Sequence, residues 1–294
     1  MKKRVAIAFV LLLFAVLLFA GAYRAAGEDR ASFTLTQYPQ QNGAQGLCYV
    51  LTDAYDHMIF IDGGWDTNAE LLLNQIMEHG NYVDAWIITH SHEDHVSAFN
   101  NLSSGPFDFQ IGTIYCPDRD EEHYRKVADA YDGGFEHYLA FRRNLERWEN
   151  VRFVHAGEEY DLFGLRMKIF NAYEKGDPAF EQDPENTGSL MFKLEGKKTS
   201  ALFCADVTKK RARELKKQYG EELKADILQV GHHGIGWCPD NKFNLFIEPE
   251  TVFFDAPGSL ISGSGESLKA LQELADTGAV AYTFDTAPNS VILR

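Results

Sequence analysis

The chain has 294 residues, 45% of them hydrophobic and 24% charged, with a formal net charge of −15 at pH 7. This is a globular composition, sufficient for one large domain or two small ones, and it excludes a disordered chain. The acidic balance leaves no strong surface for duplex nucleic acid, which is held by clustered cations that release counterions.

At the N-terminus, Met1-Lys2-Lys3-Arg4 is a positive segment and Val5 to Ala22 is an apolar run. Its length falls between a secretory core of ~7–15 residues and a membrane span of about 20. Ala20-Gly21-Ala22 fits a small-x-small cleavage site. The segment is therefore a signal peptide or an uncleaved membrane anchor, and both predict an extracytoplasmic protein, secreted or held at the membrane. The expected division is residues 1–31 for this segment and a short linker, then one domain over 32–294.

Short apolar runs rich in Val, Ile, Phe and Tyr predict strands at Phe33–Thr36, Leu47–Leu51 and Met58–Ile61. The third ends in Asp62-Gly63-Gly64. Thr67 with Glu70 reads as a capping box for a helix whose apolar face is Leu71, Leu72, Ile76 and Met77. Ala85–Ile88 is the next strand and runs into Thr89-His90-Ser91-His92-Glu93-Asp94-His95. Ile111–Cys116 follows, then a helical insertion over 121–149 whose Tyr124, Tyr131, Phe135 and Tyr138 read as packing residues. Strands at Val151–Val154 and Leu165–Phe170 precede a polar loop, Asn171 to Asn186. A hairpin, Leu190–Leu194 and Ala201–Cys204, ends in Ala205-Asp206. The basic run Thr208–Tyr219 reads as a solvated helix. Asp226–Val230 ends in Gly231-His232-His233-Gly234, and strands at Val252–Phe254, Val280–Phe284 and Ser290–Leu293 close the chain around a helix at Ser264–Ala275. Two strand-rich halves, each followed by helices, predict an α/β fold of two packed sheets with helices outside. The four cysteines, Cys48, Cys116, Cys204 and Cys238, contain no CxxC pair. Cys48 and Cys204 lie in strand runs and read as small buried hydrophobes, although export leaves disulfides open.

The chemistry concentrates at the ends of apolar strands. Three imidazoles and a carboxylate within six residues suit zinc, and also manganese or iron. On an extended loop His90 and His92, two residues apart, point the same way and can grip one ion, while Asp94 and His95 face a neighbouring position.

The His-x-His-x-Asp-His order of residues 90–95 resembles the hallmark of the metallo-β-lactamase fold superfamily. Asp62, Asp206 and His232-His233 stand where the remaining motifs of that family fall, and the resemblance spans about residues 32–294. Asn186-Thr187-Gly188-Ser189 before the Asp206 hairpin further resembles the extracytoplasmic domain of ComEC-type competence proteins and their soluble relatives. The resemblance implies an αββα four-layer sandwich and two divalent metal ions, zinc first and manganese second. It implies one position with His90, His92, Asp206 and water, and another with Asp94, His95, His232 and Asp206. Asp94 would hold a metal-activated hydroxide, His233 would donate to a developing anion, and Asp62 would orient a ligand imidazole. Many members carry a further histidine between residues 96 and 205. Here only His123, His137 and His155 fall there, none in a convincing context, and Asn186 or Ser189 would complete the site or contact substrate.

The expected function is an exported metal-dependent hydrolase of a phosphodiester or phosphate ester, on a small molecule or short oligonucleotide. One alternative is hydrolysis of a lactone, thioester or β-lactam carbonyl. Another is a surface-tethered binding protein with a residual or structural metal site.

Overall fold

The structure, a computed structural model, describes residues 32–131, 134–236, 241–285 and 287–294. The N-terminal segment and Cys238 lie outside the described residues. Among the described residues no helix is long and apolar enough to cross a membrane.

The first half builds β1 (Phe33–Gln37), β2 (Cys48–Asp53), β3 (Met58–Asp62), α1 (Ala69–Glu78), β4 (Tyr82–Ile87), α2 (Glu93–Ser104), β5 (Gln110–Cys116), α3 (Glu121–Tyr131), α4 (Phe135–Leu145) and β6 (Val151–Phe153). The second half builds β7 (Glu159–Leu162), β8 (Leu165–Asn171), β9 (Met191–Glu195), β10 (Ser200–Phe203), α5 (Lys209–Tyr219), β11 (Ile227–Gln229), α6 (Asn241–Ile247), β12 (Thr251–Phe253), α7 (Gly258–Gly263), α8 (Gly265–Asp276), β13 (Val280–Tyr282) and β14 (Asn289–Leu293). One sheet has the order β14-β1-β2-β3-β4-β5-β6 and the other β13-β12-β11-β10-β9-β8-β7.

The period-2 alternation of side chains explains why these strands are buried on both faces. In β3, Ile59 and Ile61 enter the cluster between the sheets, where they join Tyr49, Phe192 and Phe203. Met58 and Phe60 enter the outer cluster beneath α1, α2 and α4, with Trp86 and Phe99. On the second sheet, Leu202, Leu228 and Val252 face away from the first sheet and are covered by Leu215 of α5, Phe243 of α6 and Leu274 of α8. Helices, sheet, sheet and helices thus form the four layers expected.

Two local expectations need correction. Thr67 does not cap α1: it lies in a 3-10 turn, Asp66–Asn68, and Asn68 precedes the helix without a side-chain cap bond. Asn68 Oδ1 instead accepts from Gln41 N at 2.9 Å. Met77, expected on the apolar face of α1, is 59% exposed. The three described cysteines are free and buried, which agrees with the reading of Cys48 and Cys204 as core residues.

The topology directs the chemistry to one end of the sandwich. β3, β4 and β5 run parallel in one sheet, and β10, β11 and β12 run parallel in the other. Their carboxyl ends release Asp62, the 89–95 loop, Asp206 and the 231–234 turn at the same seam. Such ends are where open α/β sheets gather ligands.

Candidate metal centre

Each site residue is held by backbone that the sequence shapes locally. Asp62 ends β3 at φ +51°, a region costly for most L-residues but accessible to Asp. Its Oδ1 accepts from Thr89 N at 2.7 Å, and its Oδ2 accepts from Thr89 Oγ1 at 2.6 Å. Oδ2 also lies 2.7 Å from His95 Nδ1. His95 therefore donates through Nδ1 and turns the lone pair of Nε2 into the seam. The carbonyls of Asp94 and His95 are tied by Leu47 N at 3.0 Å and by Gly63 N and Gly64 N at 2.9 and 3.1 Å. Gly64 is required there. It has φ +72°, and a Cβ would fall 2.0 Å from Gln40 Oε1.

Asp206 is delivered by a second strained turn. Ala205 has φ +44°, and the NH groups of Cys204 and Ala205 both donate to Gln229 Oε1, at 2.9 and 2.7 Å. Gln229 Nε2 in turn donates to the buried Asp255 at 2.8 Å, which also accepts from Tyr49 Oη and Gln37 Nε2 at 2.6 and 2.7 Å. This buried network crosses between the two sheets beneath the site. Asp255 was not singled out from the sequence, although Val252–Phe254 followed by Asp repeats the strand-then-Asp pattern of Asp206.

The donor atoms gather in two groups, His90, His92 and Asp206 in one, and Asp94, His95 and His233 in the other, each within 4.8 Å. His90 Nε2 and His92 Nδ1 are 3.1 Å apart. Asp206 stands between the groups. Its Oδ1 is 3.3 Å from His95 Nε2, and its Oδ2 is 3.9 Å from His90 Nε2 and 3.5 Å from His233 Nε2. His233 Nε2 is 3.0 Å from Asp94 Oδ2 and 3.3 Å from His95 Nε2.

The two tandem histidines exchange their expected places. His233 is 1% exposed and joins Asp94 and His95. His232 stands outside both groups, with Nδ1 3.1 Å from the Ile235 carbonyl and Nε2 3.7 Å from Asp206 Oδ2. The cause is backbone geometry: His232 and His233 have φ +52° and +58°, so the chain curls after Gly231 instead of extending, and the second imidazole turns inward. Gly234 completes the turn at φ +76°, where a Cβ would lie 2.1 Å from the Phe254 ring.

Asn186 and Ser189 also separate. Asn186 lines the cavity, and its Oδ1 is buried without a hydrogen-bond partner. Ser189 is fully buried and faces the Asp206 loop instead, donating to the Asn186 carbonyl at 2.9 Å and accepting from Asp206 N at 3.2 Å. His123, His137 and His155 are engaged elsewhere, with Tyr173, Glu93 and Glu174. A buried ion pair unmarked by any sequence motif braces the loop: Glu185 accepts from Ser91 N at 2.8 Å and meets Arg119 at 2.6 Å. Arg119 also donates to the Pro184 carbonyl at 2.6 Å.

The electrostatics favour a cation. Burial pushes Asp94 and Asp206 up, but His233 and His95 outweigh it and hold both well below the usual carboxylate range. Burial pulls His233 down, yet Asp206 and Asp94 overcome it and raise its pKa to about 10. His90 is pushed down by burial and by His95 and His92, which keeps its ring neutral and its lone pairs available. The buried Asp206 Oδ1 has no hydrogen-bond donor. Four imidazoles and two carboxylates with paired nitrogens facing one another fit two divalent cations better than they fit each other. The centre opens on a cavity of about 880 Å³ lined by His92, Asp94, Asn186, Asp206, His232 and His233, with Lys209, Lys210 and Arg211 on another part of its wall.

The family model of the Beta-lactamase superfamily domain matches residues 57–242, more than half of the chain. The chain belongs to the β-lactamase superfamily. Solved structures share its fold at low identity. CmlA, a diiron β-hydroxylase from Streptomyces venezuelae, is similar at TM-score 0.55 and 12% identity over 88% of this chain and 54% of that one. This chain therefore spans about half the length of CmlA. A metallo hydrolase from Ignicoccus hospitalis is similar at TM-score 0.51 and 14% identity, over 90% and 99% of the two chains. A diphosphatase of the PhnP family matches at TM-score 0.50 and 12% identity, over 89% and 99%. No curated protein sequence matches significantly. The same fold thus carries a metallo hydrolase and a diiron hydroxylase, so it leaves the reaction to the site itself.

Proposed function

We propose that the protein is an exported, dinuclear-metal hydrolase of phosphodiesters or phosphate esters. The observation that carries this reading is Asp206, a buried carboxylate of one donor group that also lies 3.3 and 3.5 Å from His95 and His233 of the other, at a cavity whose wall bears lysines. The positive and apolar N-terminal residues 1–22 support export. The likeness of the Asn186–Ser189 stretch to ComEC-type domains, and the fold shared with a diphosphatase, support a phosphate substrate.

His90, His92 and Asp206 would hold one ion, and Asp94, His95 and His233 the other, with Asp206 shared. Two divalent ions, zinc or manganese, supply an acidified water and charge for an oxyanion. The chain's own residues do the rest. Asp62 fixes the His95 tautomer. Asp94 Oδ2 accepts a hydrogen bond at the cavity edge. His232 spends Nδ1–H on the Ile235 carbonyl and presents Nε2 beside Asp206, where it can carry the proton exchanged with the leaving oxygen. Asn186 lines the cavity with an Oδ1 that has no partner, an acceptor for a substrate hydroxyl.

Hydrolysis of bis-p-nitrophenyl phosphate with added zinc or manganese tests the reading. His92→Ala and Asp94→Ala should abolish it. Lactone, thioester and nitrocefin panels cover the carbonyl alternative, and about two ions per chain by mass spectrometry separates an enzyme from a residual site. If neither metal supports cleavage of any phosphoester, the reading fails.

A further inference from the structure

β10 and β11 run parallel, and the last pair in their register is Phe203 with Gln229. Beyond it the two backbones part. Ala205 turns at φ +44° to present Asp206, while β11 runs out into the turn that carries His233. Cys204 and Ala205 are fully buried here, so their NH groups need an acceptor inside the protein. Gln229 Oε1 takes both, at 2.9 and 2.7 Å. A side chain thus continues the ladder that the strands have left. The turn has two further ties: His232 N donates to the Ala205 carbonyl at 2.7 Å, and Asp206 N donates to Ser189 Oγ at 3.2 Å.

Gln229 is itself held. Its Nε2 donates to the Val230 carbonyl at 2.7 Å and to Asp255 Oδ2 at 2.8 Å. Two donors meet the amide oxygen and two acceptors meet the nitrogen, which leaves the side chain one orientation. Asp255 is fully buried two residues past β12, and its Oδ1 accepts from Tyr49 Oη of β2 and Gln37 Nε2 of β1 at 2.6 and 2.7 Å. The amide is therefore braced across both sheets by a carboxylate that belongs to neither donor group.

The geometry points to Gln229 as a positioning residue for the metal centre: it fixes the turn that aims Asp206 at the seam, with Asp255 as its anchor. This rests on the donor groups built around Asp206 and on no choice of substrate. A left-handed alanine persists only where its surroundings over-determine it. Without the acceptor at residue 229, two buried NH groups can regain partners only if the 204–206 backbone twists. That twist moves Asp206 away from His90 and His92 of its own group, and from His95 and His233 of the other.

Two readouts on the purified protein test this. Amide hydrogen exchange followed by NMR in chelator reads the clamp with no metal bound, and competition for zinc against a chromophoric chelator reads its consequence. Gln229→Met, close in shape but without an acceptor, should speed exchange at Cys204 and Ala205 by about tenfold or more. It should also weaken zinc binding ~10–100-fold. Gln229→Glu/Asp255→Asn puts the carboxylate on β11 and the amide on the anchor, keeps an acceptor for both NH groups, and should recover part of each loss. Tyr49→Phe removes a donor to Asp255 without touching the turn, so it should lower the melting temperature yet leave zinc affinity within about twofold. If Gln229→Met does not fold, Gln229→Asn, which withdraws the same amide by one methylene, is read by the same outcomes. Unchanged exchange at both amides or unchanged zinc affinity in the Gln229 variant overturns the proposal. So does a double variant no better than Gln229→Met, or an equal loss of zinc affinity in Tyr49→Phe. A wild-type protein that binds no zinc overturns the metal-centre reading instead, and exchange at Cys204 and Ala205 still judges the clamp.

Discussion

Asp62 Oδ2 lies 2.7 Å from His95 Nδ1, so a carboxylate at the end of β3 sets the proton position of an imidazole on α2. Asp62→Asn isolates this bond, because Asn tolerates the φ of +51° found there. An amide nitrogen facing Nδ1 would donate to it and move the ring proton to Nε2, the atom that faces the seam. Metal content should fall from about two ions per chain toward one, with activity down ~10–100-fold and the fold intact. Unchanged metal content by mass spectrometry would show that Asp62 does not set the tautomer.

The curled 231–234 turn distinguishes two adjacent histidines. His233→Ala should lose the ion of the Asp94 group. His232→Ala should keep both ions yet lower turnover and alter its pH profile. Metal analysis of both variants decides, and the reverse result would restore the assignment expected from sequence.

Without metal, stability should depend on pH in a defined direction. The raised His233 value, about 10, and the raised His95 value stabilise the fold fully below the ordinary histidine value of ~6.5. That contribution is lost as pH rises through the folded values. The depressed Asp94 and Asp206 values act oppositely: their contribution is present above the usual carboxylate range and is lost as pH falls through the folded values. The melting temperature in chelator should therefore fall between pH 7 and 10. Saturating zinc should remove the decline and release protons on binding. A flat profile in chelator would contradict this.

Arg119 and Glu185 form a buried pair that ties the 184–188 loop to Ser91. Arg119→Met leaves a buried carboxylate unpaired and should cost about 3–5 kcal/mol in urea unfolding. Adding Glu185→Leu should restore part of it, and a double-mutant cycle measures the coupling. Strictly additive losses would mean that the two side chains act independently.

The layers and the metal-bearing strand ends were legible because burial on both faces writes continuous apolar runs, and the ligands interrupt them abruptly. Residues 85–95 show both signals in succession. The order of His232 and His233 was not legible, since it depends on two consecutive left-handed residues that strand-end periodicity does not encode. The capping box at Thr67 failed because Asn68 was drawn away to the Gln41 backbone. Asp255, Gln229, Arg119 and Glu185 act on the site through hydrogen bonds between distant segments, which no local spacing reveals. The basic helix α5 was visible as composition only; its approach to the cavity depends on where the Asp206 turn sets its first residue.

The seam position of Asp206 has a consequence for the order in which the protein becomes active. Asp62, His90, His92, Asp94 and His95 come from the first sheet, and Asp206 and His233 from the second. A ribosome that has released only the first 155 residues has produced the motif-rich half without Asp206 or His233, one member of each donor group. On the proposed function, hydrolytic competence would therefore arrive late and all at once, when the two halves dock, and a partly made or half-unfolded chain would be inert.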